Sequence, residues 1–254
     1  MNNTLPIAYS IAFPHPIWRM DFHPTARYMA VELRDNDNGM PYFTVFDYLN
    51  GQKALEDIPA EDRWWTLGAV APEHLLLTYY SNPETPNTSA LSSISLKTGK
   101  SLWEKYNLIL EGQSKDGPVV QLAHMPNGFL SLLDPSSGHT IAHYKPGQQI
   151  SYLERPIIYS APVTTSPSFV YQSENHIGPW HYAQYGDLDL WAIHTKKDNS
   201  ICIRLIISHE QVILHDEVII NNLAKLLLEI FFILDDHLFV ISNNKQQIIA
   251  YKLK

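Results

Sequence analysis

Leu91-Ser92-Ser93-Ile94-Ser95-Leu96-Lys97-Thr98-Gly99-Lys100-Ser101-Leu102-Trp103-Glu104 contains a short strand, a polar stop, a tight turn and the start of a second strand. The strand ends at Ser95, and Gly99 follows four residues later, where a hairpin turn needs the positive φ that glycine adopts without steric cost. Residues 42–55 repeat the pattern with Asp47 and Gly51, and residues 129–141 repeat it with Asp134 and Gly138. An Asp or Ser at the stop accepts hydrogen bonds from turn amides, so the offset has a mechanical basis. A weaker copy at 190–201 has Asp198 or Asn199 in the glycine's place, residue types that tolerate the left-handed backbone.

A further β-like run precedes each clear copy, at 28–33, 74–79 and 118–122. The stops at 47, 95, 134 and 194 are 48, 39 and 60 residues apart, and a propeller blade takes about 40 to 50. The expected fold is therefore all-β: a β-propeller of about five blades, with six blades or a β-sandwich as alternatives. Residues 237–253 read as two strands around an Asn-rich turn, and residues 6–13 can add a strand beside them. Pairing of the first and last strands is expected to close the ring and remove exposed edges. The whole of 1–254 then forms one domain, with a loop-rich insertion at about 154–189, where the spacing is longest.

Residues 93–104 resemble the blade repeat of quinoprotein-type propellers, whose pattern is an aliphatic strand, an Asp or small polar residue, Thr-Gly-Lys and a Trp. Residues 47–55 and 134–141 resemble it less closely because they lack the Trp, and Phe22-His23-Pro24-Thr25-Ala26-Arg27-Tyr28-Met29-Ala30 resembles a WD-type blade. The likeness covers about half the chain and implies architecture more than chemistry. Quinoprotein dehydrogenases have a longer, eight-bladed ring, so the resemblance argues against bound pyrroloquinoline quinone, and no cofactor is expected.

With 45% hydrophobic and 17% charged residues, the chain has ample material for a core. Its 26 Asp and Glu outnumber 18 Lys and Arg for a net charge of -8, which disfavours nucleic acid and anionic membrane as partners. The 12 His, titrating near pH 6.5 when unperturbed, are expected to offset much of that charge in mild acid. Cys202 lies in an apolar run and reads as a small buried hydrophobe. The first basic residue is Arg19, which does not fit a secretory leader, and the apolar run 226–234 contains Glu229 and falls short of the about 20 residues a spanning helix needs. A cytoplasmic location is the expectation.

Residues 174–189 crowd aromatic and polar side chains around Gly178 and Pro179. His176, Trp180, His181, Tyr182 and Tyr185 are the candidate ligand-binding set, suited to a sugar or planar ligand, and the competing reading is a satellite core that packs its own aromatics. His176, His181 and Asp187 lack metal-ligand spacing, and no metal is expected. Asp35-Asn36-Asp37-Asn38-Gly39 looks like a calcium loop, but the glycine is fifth rather than sixth and Phe46 occupies the twelfth position, so a polar hairpin turn is the better reading.

Asp21 and His23 flank Phe22 and are weak acid–base candidates, or else a polar turn ahead of Pro24. With Asp187 and Asp189 they complete the candidate catalytic set. His124, His139, His143, His209 and His215 are expected to be solvated or locally bonded. No nucleophile-elbow, Walker or Cys/His arrangement occurs. The first functional reading is a non-enzymatic propeller that presents loops to a protein or glycan partner. The alternative is a carbohydrate-active hydrolase or lyase with carboxylates about 5 to 9.5 Å apart at a channel mouth.

Overall fold

The structure is a computed structural model that describes residues 5–82, 84, 87–125, 128–154, 156–167, 175–197 and 200–253. All regular elements among them are strands, which form five small antiparallel sheets of the kind a β-propeller repeats. The chain folds as two compact units, residues 15–155 and residues 1–14 with 156–254. The opening strand β1 (Ile7–Ala12) belongs to the second of these.

The 15–155 unit holds three four-stranded meanders. Sheet one has β2 (Ile17–His23), β3 (Tyr28–Arg34), β4 (Pro41–Asp47) and β5 (Lys53–Pro59). Sheet two has β6 (Trp65–Val70), β7 (His74–Tyr80), β8 (Thr88–Ser95) and β9 (Ser101–Tyr106). Sheet three has β10 (Leu108–Ser114), β11 (Gly117–Leu122), β12 (Leu130–Leu133) and β13 (Thr140–Tyr144). The inner strands β3 and β7 are near-continuous apolar runs because both faces are covered. On the outer β5 and β9, exposed residues are interspersed with covered ones.

The repeated offset is one turn built four times. Gly39, Gly51, Gly99 and Gly138 have φ of 70°, 73°, 66° and 70°. Each glycine amide donates to the carbonyl of the residue four before it, at 2.9, 2.8, 2.8 and 2.8 Å. Asp134 Oδ1 accepts from the Ser136 and Ser137 amides, and Asp47 Oδ1 from that of Leu49, all at 2.8 Å. The calcium-like Asp35–Gly39 segment is the same turn, with Asp35 Oδ1 taking the Asp37 amide at 2.9 Å.

After Gly51 and Gly99 the fourth residue locks one sheet to the next. A Cβ on Gly138 would lie 2.8 Å from the Trp103 ring, and Trp103 Nε1 donates to Pro135 O at 2.9 Å. Leu55 stands at the same offset from Gly51 and packs with Ile58 on Gly99.

Below these locks lies a polar junction between sheets one and two. Glu32 is 0% exposed. Its Oε1 accepts from Arg34 Nε at 2.6 Å, and its Oε2 accepts from the Thr66 hydroxyl and the Leu67 amide, each at 2.7 Å. The Arg34 guanidinium also donates to the carbonyls of Gly39, Arg63 and Trp65 at 3.0, 2.6 and 2.9 Å.

The second unit has two five-stranded sheets. One is β1-β22-β21-β20-β14, built from β14 (Ile157–Tyr159), β20 (Phe231–Leu234), β21 (His237–Ile241) and β22 (Gln247–Lys252) together with β1. The other is β15-β16-β17-β18-β19, from β15 (Ala161–Val163), β16 (His176–Tyr185), β17 (Leu188–Lys197), β18 (Ser200–His209) and β19 (Val212–Leu223). The expected pairing of first and last strands is present: Ile7 lies opposite Tyr251 and Ala12 opposite Gln247. Leu190, Ala192, Ile203 and Leu205 share a core with Leu238 and Val240.

The reading of 154–189 as a loop-rich insertion is corrected by β14, β15, β16 and the start of β17. Gly178 and Pro179 do not break the strand, because the register shifts between Ile177 and His181 and Gly178 takes a φ of 75°. A bulge accommodates both residue types. The weaker turn at Asp198 and Asn199 lies outside the described residues. His215, expected to be solvated or locally bonded, is buried, with Nε2 3.2 Å from Glu217 Oε1.

Removing one partner of a buried ion pair strands the other, so Glu32→Ala is expected to cost about 3 to 5 kcal/mol of unfolding free energy in urea titrations. A loss under about 1 kcal/mol would contradict the junction's role. Gly39→Ala meets nothing within 4 Å and is expected to cost only the strain of the left-handed backbone, about 1 to 2 kcal/mol. Gly138→Ala must also displace Trp103, and equal losses for the two variants would remove the proposed lock.

Candidate functional site

The predicted ligand-binding set is divided by the pleat of β16, since successive residues point to opposite faces. Trp180 and Tyr182 share one face with Trp191, at centroid distances of 6.3 and 4.4 Å. His181 takes the other face, where its ring meets that of His194 edge-on at 5.9 Å. Tyr185 packs against the core of the second unit. His176 and Trp180 line a cavity of about 450 Å³ with Val163, Thr164 and Ser166.

The predicted catalytic carboxylates each have a local role. Asp189 Oδ1 accepts from the Tyr182 hydroxyl at 2.7 Å, and burial together with that carboxylate pushes the phenol up to about 12. Asp187 is exposed and lies 3.3 Å from His209 Nε2. Buried Asp21 accepts from the Val70 amide at 2.7 Å, adding a second link between sheets one and two. His23 Nδ1 accepts from the Ala26 amide at 3.0 Å, which fixes the turn after β2.

His23 also borders a site that sequence reasoning otherwise missed. In the 15–155 unit a cavity of about 280 Å³ opens where turns of all three sheets meet. Its walls come from the β2–β3 turn at His23, the β6–β7 turn at Glu73 and His74, the β10–β11 turn from Gln113 to Gly117, and the β12–β13 turn at Asp134 and Ser136. Of these four turns, the β12–β13 turn carries the repeated offset from Asp134 to Gly138, and the other three are first connections of their sheets without it.

Two of the lining residues, His74 and Gln113, are 6% and 5% exposed, and among the described residues His74 Nδ1 and Gln113 Oε1, both closed to solvent, have no hydrogen-bond partner. His74 Nε2 lies 3.3 Å from the Ser136 hydroxyl. Burial holds the His74 pKa below its ordinary value against the opposing pull of Glu73 and Asp134. Asp134 is held below the usual carboxylate range chiefly by the Ser137 amide. Among the described residues, no side chain orients the His74 imidazole of the Ser136–His74 contact through Nδ1, as the third member of a triad does. A second groove, about 470 Å³ along sheet three, is lined by Leu122, Met125, Phe129 and His143 and contains no Asp, Glu, Lys or Arg. Among the described residues, no three His, Cys, Asp or Glu side chains group to hold a metal ion.

Residues 23–103 match the profile of a family described as a domain of unknown function, DUF4905. The match runs from the end of β2 to within β9, across sheets one and two. No curated protein matches the chain. Among solved structures, BamB from Moraxella catarrhalis is similar at a TM-score of 0.33 and 9% identity, over 98% of this chain and 100% of that one. A score of that size carries no argument, and the architecture rests on the sheets and turns themselves.

The His181–His194 contact has a consequence for stability. Burial lowers both pKa values below 6.5, and His181 lowers that of His194 further. His194 Nε2 accepts from the Leu227 amide at 3.0 Å, a bond that requires that nitrogen to be unprotonated. Both rings are therefore neutral in the folded chain, while the unfolded chain takes up protons as pH falls through 6.5. Their contribution is complete above that pH and is lost progressively below it. Denaturation midpoints are expected to hold steady from pH 8 to 7 and to decline below about 6.5, less steeply in His181→Phe. An identical decline in that variant would show that other groups carry the acid sensitivity.

Proposed function

We propose that the chain is a non-enzymatic binding module of β-propeller type, each of its five sheets forming one blade, that receives a protein partner at the turn end of the 15–155 unit. The observation that carries this reading is the 280 Å³ cavity at which turns of all three sheets of that unit meet, walled by the charged and polar side chains of Glu73, His74, Lys115, Asp116 and Asp134. The three equivalent turns at Gly51, Gly99 and Gly138, the locks at Leu55 and Trp103, and the β1–β22 pairing support the blade reading. The hydrolase alternative is less favoured, since Asp21 is committed to the Val70 amide and Asp189 to Tyr182. Nothing in the described residues favours a glycan over a protein partner.

A site retained for binding trades stability for function, which gives a test on the isolated protein. Gln113→Leu removes the unpaired carbonyl and is expected to raise unfolding free energy by about 1 kcal/mol. In cells, a photo-crosslinking residue at position 115 is expected to capture a defined partner, and Gln113→Leu to abolish that capture. A loss of stability in Gln113→Leu, or equal capture from a control position at Lys53 on β5, would count against the site.

A further inference from the structure

We infer that His194 is a proton-operated latch on the β19–β20 connection, residues 224–230, and that this segment lifts in mild acid while the sheets it joins stay folded. The device lies within the second unit and is independent of the binding site proposed above. Of residues 224–229, all are exposed except half-buried Leu227. Leu227 is also where the segment is held. Its side chain packs on the core of the unit, and its amide donates to His194 Nε2 at 3.0 Å. Among the described residues that is the one hydrogen bond made by 224–229. Both ends are fastened separately: Asn222 O accepts from the Asn243 side-chain amide, and the Ile230 and Phe231 amides donate to Ser160 Oγ at 3.3 Å. The span between them can lift without unpairing β19 or β20.

A second proton on the ring has no answer in the closed arrangement. The neutral imidazole that accepts through Nε2 carries its hydrogen on Nδ1, and among the described residues His194 Nδ1 has no hydrogen-bond partner. Protonation would put an N–H on Nε2 facing the Leu227 N–H and leave two buried donors without an acceptor. The groups that act on the ring oppose a charge as well: burial, and His181 on β16, whose ring meets it edge-on at 5.9 Å. Ile177 of β16 and Ile203 of β18 stand opposite His194 on the neighbouring strands. Lys196, two residues along β17, is a further cation, and the connection itself brings exposed Lys225 and Glu229.

Lifting the connection uncovers Nε2, so the open form takes up the proton that the closed form refuses. His194 titrates near its ordinary 6.5 when open and below it when closed. The closed form is therefore fully favoured above that pH, and its ratio to the open form falls by up to about tenfold for each pH unit below it. Opening adds Leu227 to Leu226 and Leu228, already 42% and 87% exposed, and presents three consecutive leucines.

The test follows amide hydrogen exchange of the full chain by NMR between about pH 8 and 5, corrected for the chemical exchange rate at each pH. The Leu227 amide is expected to exchange faster than those of Ala192 and Leu205 at every pH and to be insensitive to low urea, as local opening requires. Its protection is expected to hold down to about pH 6.5 and then to fall by up to about tenfold per pH unit. His194→Gln supplies a neutral acceptor, and protection in that variant is expected to vary by less than about twofold across the range.

Exchange of Leu227 in step with Ala192 and Leu205, with the same urea dependence, would overturn the latch, because the connection would then open only with the whole unit. An unchanged acid slope in His194→Gln would overturn it by assigning the proton to another group. Should that variant fail to fold, the ring of the unaltered protein decides: the expected result is an Nδ1–H tautomer titrating below 6.5, and an Nε2–H tautomer or a midpoint at or above 6.5 would overturn the proposal.

Discussion

Glu32 carries a charge into a place without water, and the charge has to be answered there. Its two oxygens are met by Arg34, Thr66 and Leu67, while the guanidinium that balances it spends its remaining donors on three backbone carbonyls. An ion pair buried between sheets contributes little net energy compared with an apolar substitute of equal shape, but it is unforgiving of displacement. Sheets one and two are thereby held in a single register. Asp21 on the Val70 amide repeats the device at the end where the polar cavity opens. The fixed positions of the β2–β3 and β6–β7 turns, and so of His23 and His74, follow from these two carboxylates.

The repeating turn was legible because it is local. A stop residue and a glycine four positions later encode a φ and a hydrogen bond that depend on almost nothing else. The lock one sheet over was half legible: Trp103 is conspicuous, whereas Leu55 does the corresponding job without an aromatic ring to advertise it. The region 154–189 was misread because Gly178-Pro179 has the composition of a breaker, and composition does not reveal that a bulge will absorb it. The five aromatic and histidine candidates were read as members of a long loop, whereas they lie on β16, whose pleat sends Trp180 and Tyr182 to one face and His181 to the other.

The polar cavity was out of reach for a different reason. Its wall is gathered from turns of three sheets, and that meeting is a property of the folded arrangement rather than of any motif. Histidine content is informative only in part: of the twelve imidazoles, burial holds His74, His181 and His194 below their ordinary titration range, which a residue count does not reveal.

The pairing of β1 with β22 has a kinetic consequence. Every neighbouring pair in the sheets of the 15–155 unit, by contrast, joins strands adjacent in sequence, so those meanders close short loops. Ile7 and Tyr251 must find each other across nearly the whole chain, and the entropy of closing a loop grows with its length. High sequence separation also slows folding. On a ribosome the three meanders of the 15–155 unit can form while β1 waits without its neighbour, exposing a strand edge until β22 has been made. The same ribbon that completes the sheet is thus the segment most in need of protection during folding, and its final docking is the step at which the fold becomes committed.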